Sequence, residues 1–534
     1  MSKRTLVSLC IIACLTTVPV LAQQGPVEVS NAVEFGSSKA LKNLPIDRGN
    51  NEKEKKEKNE PKKVDVPDGL PQGAPDPVRQ AVTINAAATT SVNNWDGVGV
   101  GGGYTPDAAP PDTNGAVGGP VVSGASSQYV QWVNEAYAVY DTATGAVIAG
   151  PTLGKQLWST FPSTSPCRQY NDGDPIVQWD KLNQRWILTQ FAVSQGANSG
   201  YRQCVAVSQT NDATGVYNLY EFNYGTNFND YPKVGVGTDG NYYITYNMFK
   251  RGRTFNGGWV CAWNGAAMRA GTNPAGLEQC FSTTVASLLP ADLDKGYAAS
   301  VTLRDEWVVN ATTNALTFRK LHVDFANSAN STLSAGTNVA VAAYSRACGG
   351  GTCIPQPSTS QQLDSLGDRL MYRFAMRQFA GYDALVVTHS VTSGSVTGVR
   401  WYEFRTPGST TPTVFQQGTY QPDSLYRWMS SAAMDKQGNL IVGYSVSSSS
   451  VTPDIRFSSR APGDPLGTLG GETAIAPVTR GSQLPSLARW GDYAAMSVDP
   501  ADDCTMYFTT EYLKNNGSFN WSTRIGKIKV SGCL

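Results

Sequence analysis

The chain has 534 residues and is 41% hydrophobic, so it can bury a sizeable core, yet only 16% of it is charged. Its 42 basic residues balance its 42 acidic ones, which argues against nucleic acid or an anionic membrane as partner. Only two histidines are present, which argues against a His-rich zinc centre.

The N-terminus reads as an export signal, residues 1–22. Lys3 and Arg4 precede an apolar run from Leu6 to Leu15, and Val20-Leu21-Ala22 offers a cleavage site before Gln23. The run is too short to span a bilayer. A minor variant is lipid anchoring at Cys14, in the box Ile11-Ile12-Ala13-Cys14. The expected location is secreted or periplasmic, with no transmembrane segment in the mature chain.

Residues 23–81 show no periodicity. From Asn50 to Lys63 they are mostly Glu, Lys and Asn, and five prolines follow between Pro61 and Pro77. Such a stretch cannot bury enough apolar surface to offset chain entropy, so a disordered spacer is expected. A removable pro-segment competes with that reading.

From residue 82 to 534 helical periodicity vanishes. Short runs of Val, Ile, Tyr, Trp and Thr alternate with Gly, Asn, Asp and Ser. A hairpin unit recurs as PIVQWDKLNQRWILTQF, KVGVGTDGNYYITYN, SAAMDKQGNLIVGYS and AAMSVDPADDCTMYFTTEY, with turn residues Asp180, Asp239, Asp435 and Asp499 at matching places. The expected fold is all-β: a single β-propeller of about seven blades. Its inner strands would start near Asp112, Asp174, Asp230, Asp292, Tyr372, Trp428 and Asp492. The last blade is one strand short, and the stretch Val82–Val92 could complete it and close the ring. A two-sheet sandwich array is the rival fold.

Eight cysteines follow the signal and fall in local pairs. For an exported protein this predicts disulfides Cys167–Cys204, Cys261–Cys280, Cys348–Cys353 and Cys504–Cys533, although connectivity is formally open.

The segments APPDTNGAVG from Ala109, NDGDPIVQWD from Asn171, NDYPKVGVG from Asn229, LVVTHS from Leu385 and RWGDYAAMSVDPADDC from Arg489 resemble a family of secreted bacterial proteins largely without assigned activity. The resemblance spans residues 93–533 and implies a propeller, loosely sialidase-like in architecture. The sialidase Asp-box repeat is not present in clean form.

Strand starts in a propeller ring one mouth of the channel, a concave place where ligands bind. The candidate carboxylates there are Asp112, Asp174, Asp230, Asp292, Asp294 and Asp492, able to hold Ca²⁺ or sugar hydroxyls or to act as acid and base on a glycosidic bond, with Asp112, Asp174, Asp230 and Asp492 as the catalytic candidates. Tyr493 with Glu511 would form a nucleophile–base pair. His389, in LVVTHS, would be the base of a polysaccharide lyase, with Tyr372 or Tyr382 as acid. Arg373, Arg427 and Arg489 would bind an acidic sugar bidentately, unless each pairs with an Asp and braces adjacent blades. No cofactor is required on this reading beyond a possible Ca²⁺. The expected function is binding of an extracellular glycan by a monomer, with cleavage left open and, if present, hydrolytic or lytic. The alternative is a non-catalytic surface scaffold that presents loops to protein partners.

Overall fold

Aspartates at the predicted turns do what their side chains favour. Asp180 Oδ1 accepts the N–H groups of Leu182 and Asn183, Asp435 Oδ1 those of Gln437 and Asn439, and Asp499 Oδ1 that of Ala501. Each such Asx turn reverses the chain and lets the flanking alternating segments pair as a hairpin. The computed structural model describes residues 27–49, 56–57, 68–85, 89–120, 126–475 and 480–534, and it is all-β.

The hairpins build antiparallel units in chain order. The first strands of units one to seven are Asn114–Gly118, Gly173–Asp180, Asn227–Val236, Leu289–Asp294, Leu370–Phe379, Tyr426–Met434 and Ala495–Val498. These match the starts expected from the sequence. Each first strand touches the next, and that of unit seven touches that of unit one. Units four and five also share a sheet, because Ala291–Asp294 pairs in parallel with Phe374–Arg377. Close approach needs small residues: a Cβ on Gly235 would lie 2.0 Å from Ala291 O in the neighbouring unit.

Unit seven takes its fourth strand from far upstream, as Thr89–Asp96 pairs with Trp521–Val530. That strand lies downstream of the expected Val82–Val92 and overlaps its end. The earlier part goes elsewhere: Ile84 bridges to Gly470.

The expected spacer over 23–81 needs correction in its described parts. Glu34–Ser37 adds a fifth strand to unit two, and Glu28–Ser30 adds one to unit three. Arg79–Gln80 pairs with Thr419–Tyr420 of unit five. These strands cover open sheet edges, whose unpaired N–H and C=O groups provide the driving force that the segment's composition lacks. The signal (1–22) and most of the charged run Asn50–Lys63 lie outside the described residues. Among the described residues no helix is long and apolar enough to cross a membrane.

Aromatic side chains fill the space between units. Trp179 and Trp186 are fully buried with ring centroids 4.8 Å apart, and Trp428 meets Trp490 at 5.9 Å. All four expected disulfides are formed.

Candidate functional site

The first strands of several units are interrupted near their start. The pairing slips between Gly173 and Ile176, between Asp230 and Lys233, and between Trp428 and Ser431. Asp174 (φ 46°), Tyr231 (φ 56°) and Met429 (φ 53°) occupy these bulges, and Asp112 (φ 45°) stands just before unit one. A bulge re-aims one side chain off the sheet face, and left-handed backbone at non-glycine residues marks places held by their surroundings.

The result is a buried carboxylate cluster. The Asn134 amide donates to Asp112 Oδ2 at 2.6 Å, while its own oxygen accepts the Asp174 N–H at 2.8 Å. The Asp492 N–H donates to Asp112 Oδ1 at 2.8 Å, and Arg489 pairs with the Asp492 carboxylate. One oxygen each from Asp112, Asp174 and Asp492 lies within 4.8 Å of the others. Asp230 belongs to the same electrostatic group, and its Oδ2 is buried with no hydrogen-bond partner among the described residues.

Burial and the repulsion of neighbouring carboxylates push Asp112, Asp174 and Asp230 up. Asp112 is raised to about 7 by desolvation and then by Asp492, with Arg489 opposing. Asp230 is raised to about 6 by desolvation and Asp492. Asp174 is held well above the carboxylate range by desolvation, Asp112 and Asp492. Glu511, behind Asp112, is raised well above its usual value by desolvation and then Asp112.

Lys233 is the internal counter-ion. Its ammonium lies 3.4 Å from the Tyr231 ring centre and 4.2 Å from that of Tyr493. Desolvation lowers it to about 8, against the opposing pull of Asp174 and Asp492. The Arg369 guanidinium lies 4.6 Å from the centre of the same Tyr231 ring. Asp112, Asp174 and Asp492 are close enough to hold a cation together, and Lys233 and Arg489 already bring positive charge to them.

The predicted residues divide. Asp112, Asp174, Asp230, Asp492, Tyr493 and Arg489 are brought together; Arg373, Arg427 and His389 are not. Arg373 is buried between Asp292, at 2.7 Å, and Asp294, at 2.5 Å. Arg427 is held by Asp423 and Glu472 at 2.8 and 2.7 Å. Both already have the carboxylates that a ligand would have supplied. His389 is buried in the second strand of unit five, its Nε2 2.9 Å from Tyr402 Oη and its ring against Tyr344. Desolvation and Arg400 hold it neutral, far from a base's working range. The expected acid Tyr372 is engaged with Gln178. Tyr493 donates to Pro175 O at 3.1 Å, and burial beside the aspartates keeps it a phenol, which does not fit a nucleophile.

Asn134, Lys233 and Arg369 were not legible as site residues. Lys233 alone carried a signal: it lies in NDYPKVGVG beside Asp230 and Tyr231.

The chain matches no protein-family model and no curated protein sequence. Among solved structures it is similar to a Penicillium chrysogenum α-L-arabinanase, at 10% identity over 83% of this chain and 100% of that one, TM-score 0.34. An α-L-arabinofuranosidase from Podospora anserina aligns at 10% identity over 66% and 89%, TM-score 0.26. An ulvan lyase aligns at 9% identity over 76% and 85%, TM-score 0.28. At these TM-scores the likeness carries no argument about function.

Proposed function

We propose that this protein is an exported β-propeller of seven blades, closed between its last and first units, that binds a glycan where Asp112, Asp174, Asp230 and Asp492 meet and cleaves it by acid–base chemistry. The cyclic contact of the first strands and the capture of Thr89–Asp96 by unit seven support closure. Four disulfides fit an oxidising compartment outside the cytoplasm.

One observation carries the catalytic reading: several carboxyls with raised proton affinity share one place with a lysine whose affinity is lowered. Such a group keeps one carboxyl protonated near neutral pH while another is ionised, which is the division of labour glycosidic cleavage needs. Asp174 and Asp230 are 8% and 6% exposed, against 1% for Asp112 and 2% for Asp492. The first two are therefore the groups a sugar reaches. A protonated carboxyl gives its proton to the departing glycosidic oxygen, and an ionised one activates water or attacks the anomeric carbon. Asp112 and Asp492 set the proton affinity of that pair, and Lys233 with Arg489 balances their charge. No metal is needed for this chemistry.

Thermal melts with neutral and acidic polysaccharides, paired with a reducing-end assay, test this. A ligand that binds only the folded state raises the melting temperature by mass action. Asp230→Asn is expected to keep a glycan-induced shift and to lose at least about a hundredfold in cleavage, the scale of one general acid or base. Shifts by no glycan at all would sink the proposal and favour a scaffold that meets protein partners. A shift with Ca²⁺ alone, reversed by chelator, would make the cluster an ion site instead.

A further inference from the structure

A second feature adjoins the carboxylate cluster and plays no part in the chemistry above. A cavity of about 460 Å³ opens between unit four and the start of unit five, within the size range of small-ligand sites. Its walls include Ser287, Asn310, Thr317, Arg319, Asn338 and Arg369. Hydroxyl, amide and guanidinium groups stand there beside the apolar Val285, Ala286, Ala311 and Leu370, a mixture that can hydrogen-bond a sugar's oxygens and pack against its ring.

The charges on these walls do not cancel. Two guanidiniums, Arg319 and Arg369, face one carboxylate, Asp368. Asp368 is bound twice by Arg369, at 2.9 and 3.0 Å. Arg319 forms no ion pair among the described residues; its Nη1 donates to the neutral Asn310 at 2.7 Å. Desolvation without a carboxylate partner lowers its proton affinity. Arg369 Nη1 is buried and meets no acceptor among the described residues. Partly desolvated guanidinium is costly unless something anionic arrives, and its planar fork matches a carboxylate or sulfate in two parallel bonds.

The fold keeps this arginine in place and leaves space beside it. Arg319 stands on the third strand of unit four, with Asn310 on the second strand and Asn338 on the short strand that pairs with Thr317. Thr317 donates to Asn338 at 2.6 Å. Gly336 has no side chain where a Cβ would lie 2.8 Å from Arg319 Nη2.

Two contacts relate the cavity wall to the strand that carries Asp230. Ser287 on its wall donates its N–H to Asn247, whose Cα pairs in register with Asp230. Arg369 on the opposite wall covers Tyr231, next in sequence to Asp230.

We infer that this cavity is a subsite for an anionic sugar unit, with Arg319 as the group that binds its carboxylate or sulfate. The inference rests on the glycan reading of the adjacent cluster and narrows its substrate to acidic polysaccharides.

The test is titration calorimetry with oligogalacturonate, its methyl ester, a sulfated galactan oligosaccharide and a neutral galactan oligosaccharide. The wild type is expected to prefer an anionic form over its neutral counterpart by at least about tenfold, the worth of one charge-assisted hydrogen bond. The oligogalacturonate and sulfated arms distinguish carboxylate from sulfate. Arg319→Gln should remove the preference and leave the affinity for the neutral forms unchanged. Arg319→Lys keeps the charge and loses the fork, and should retain part of the preference; it also stands in if the glutamine variant melts early. Equal binding of charged and neutral forms by the wild type would overturn the subsite and leave the glycan reading standing. So would an equal loss of both in the variants. Binding of none of the four would overturn both.

Discussion

The backbone N–H of Asp492 donates to the side chain of Asp112 at 2.8 Å, across a sequence separation of 380 residues. This bond ties the entrance of the last unit to that of the first. It also brings the Asp492 carboxylate close to that of Asp112, whose proton affinity it raises, so this contact is part of the candidate site.

That coupling has a pH signature. Asp230 is raised to about 6 in the folded chain, against roughly 4 in an unfolded one. A raised acid contributes stability that is complete below about pH 4 and lost as pH climbs through about 6. Asp112, raised to about 7, extends the loss upward. Asp230→Asn cannot ionise and should gain on the wild type as pH rises from about 4 to 7, by on the order of 1–3 kcal/mol. Denaturant midpoints of the two proteins at several pH values measure the difference. Parallel profiles would mean that Asp230 titrates normally.

His389 acts with the opposite sign. It is held neutral in the folded chain, while an unfolded chain protonates it below about pH 6.5. Stability is therefore lost as pH falls below about 6.5, and His389→Gln should remove that share of the acid sensitivity. The variant should cleave glycan as the wild type does. A specific loss of cleavage with an unchanged melt would restore His389 to the chemistry.

Arg427 is a brace and should behave as one. Removing it leaves the largely buried Glu472 with Arg456 as its ion-pair partner among the described residues. Arg427→Ala should cost about 2 kcal/mol or more, the scale for a broken buried pair. Glycan-induced shifts in the variant's own melt should stay as large as in the wild type. Their disappearance would place Arg427 at the ligand.

The two N-terminal strands should matter to stability although they stand outside the seven units. Deleting residues 27–49 uncovers the last strands of units two and three and removes the hydrogen bond from Ser30 to the buried Glu278. A lower melting temperature and concentration-dependent association are expected, since open edges recruit other strands. An unchanged melt and a monomeric elution profile would show that these strands only decorate the surface.

The disulfides should differ in value with the loops they close. Cys167–Cys204 spans 37 residues and Cys348–Cys353 only 5. Chain entropy assigns about 4 kcal/mol to the first and about 2 to the second. Paired serine variants, compared by denaturant midpoint, should fall in that order.

Alternation, turn aspartates and paired cysteines were sufficient to read the all-β class, the seven strand starts and the disulfides, because each is a local signal. The captured strands of residues 27–49 were not legible, since their partners lie some 180–250 residues away and their own sequence shows no strand period. The aspartates could be named from position alone, but the arginines could not be sorted. Arg489 beside Asp492 and Arg427 beside Asp423 look alike along the chain. Sequence by itself determined which residues have the chemistry to bind an acidic sugar; only tertiary structure decided which of them are spent. A guanidinium that meets a carboxylate inside the fold is neutralised there, and that pairing depends on which strands become neighbours in space. Arg373 and Arg427 meet theirs; Arg319, an unremarked residue in an ordinary strand, forms no ion pair among the described residues.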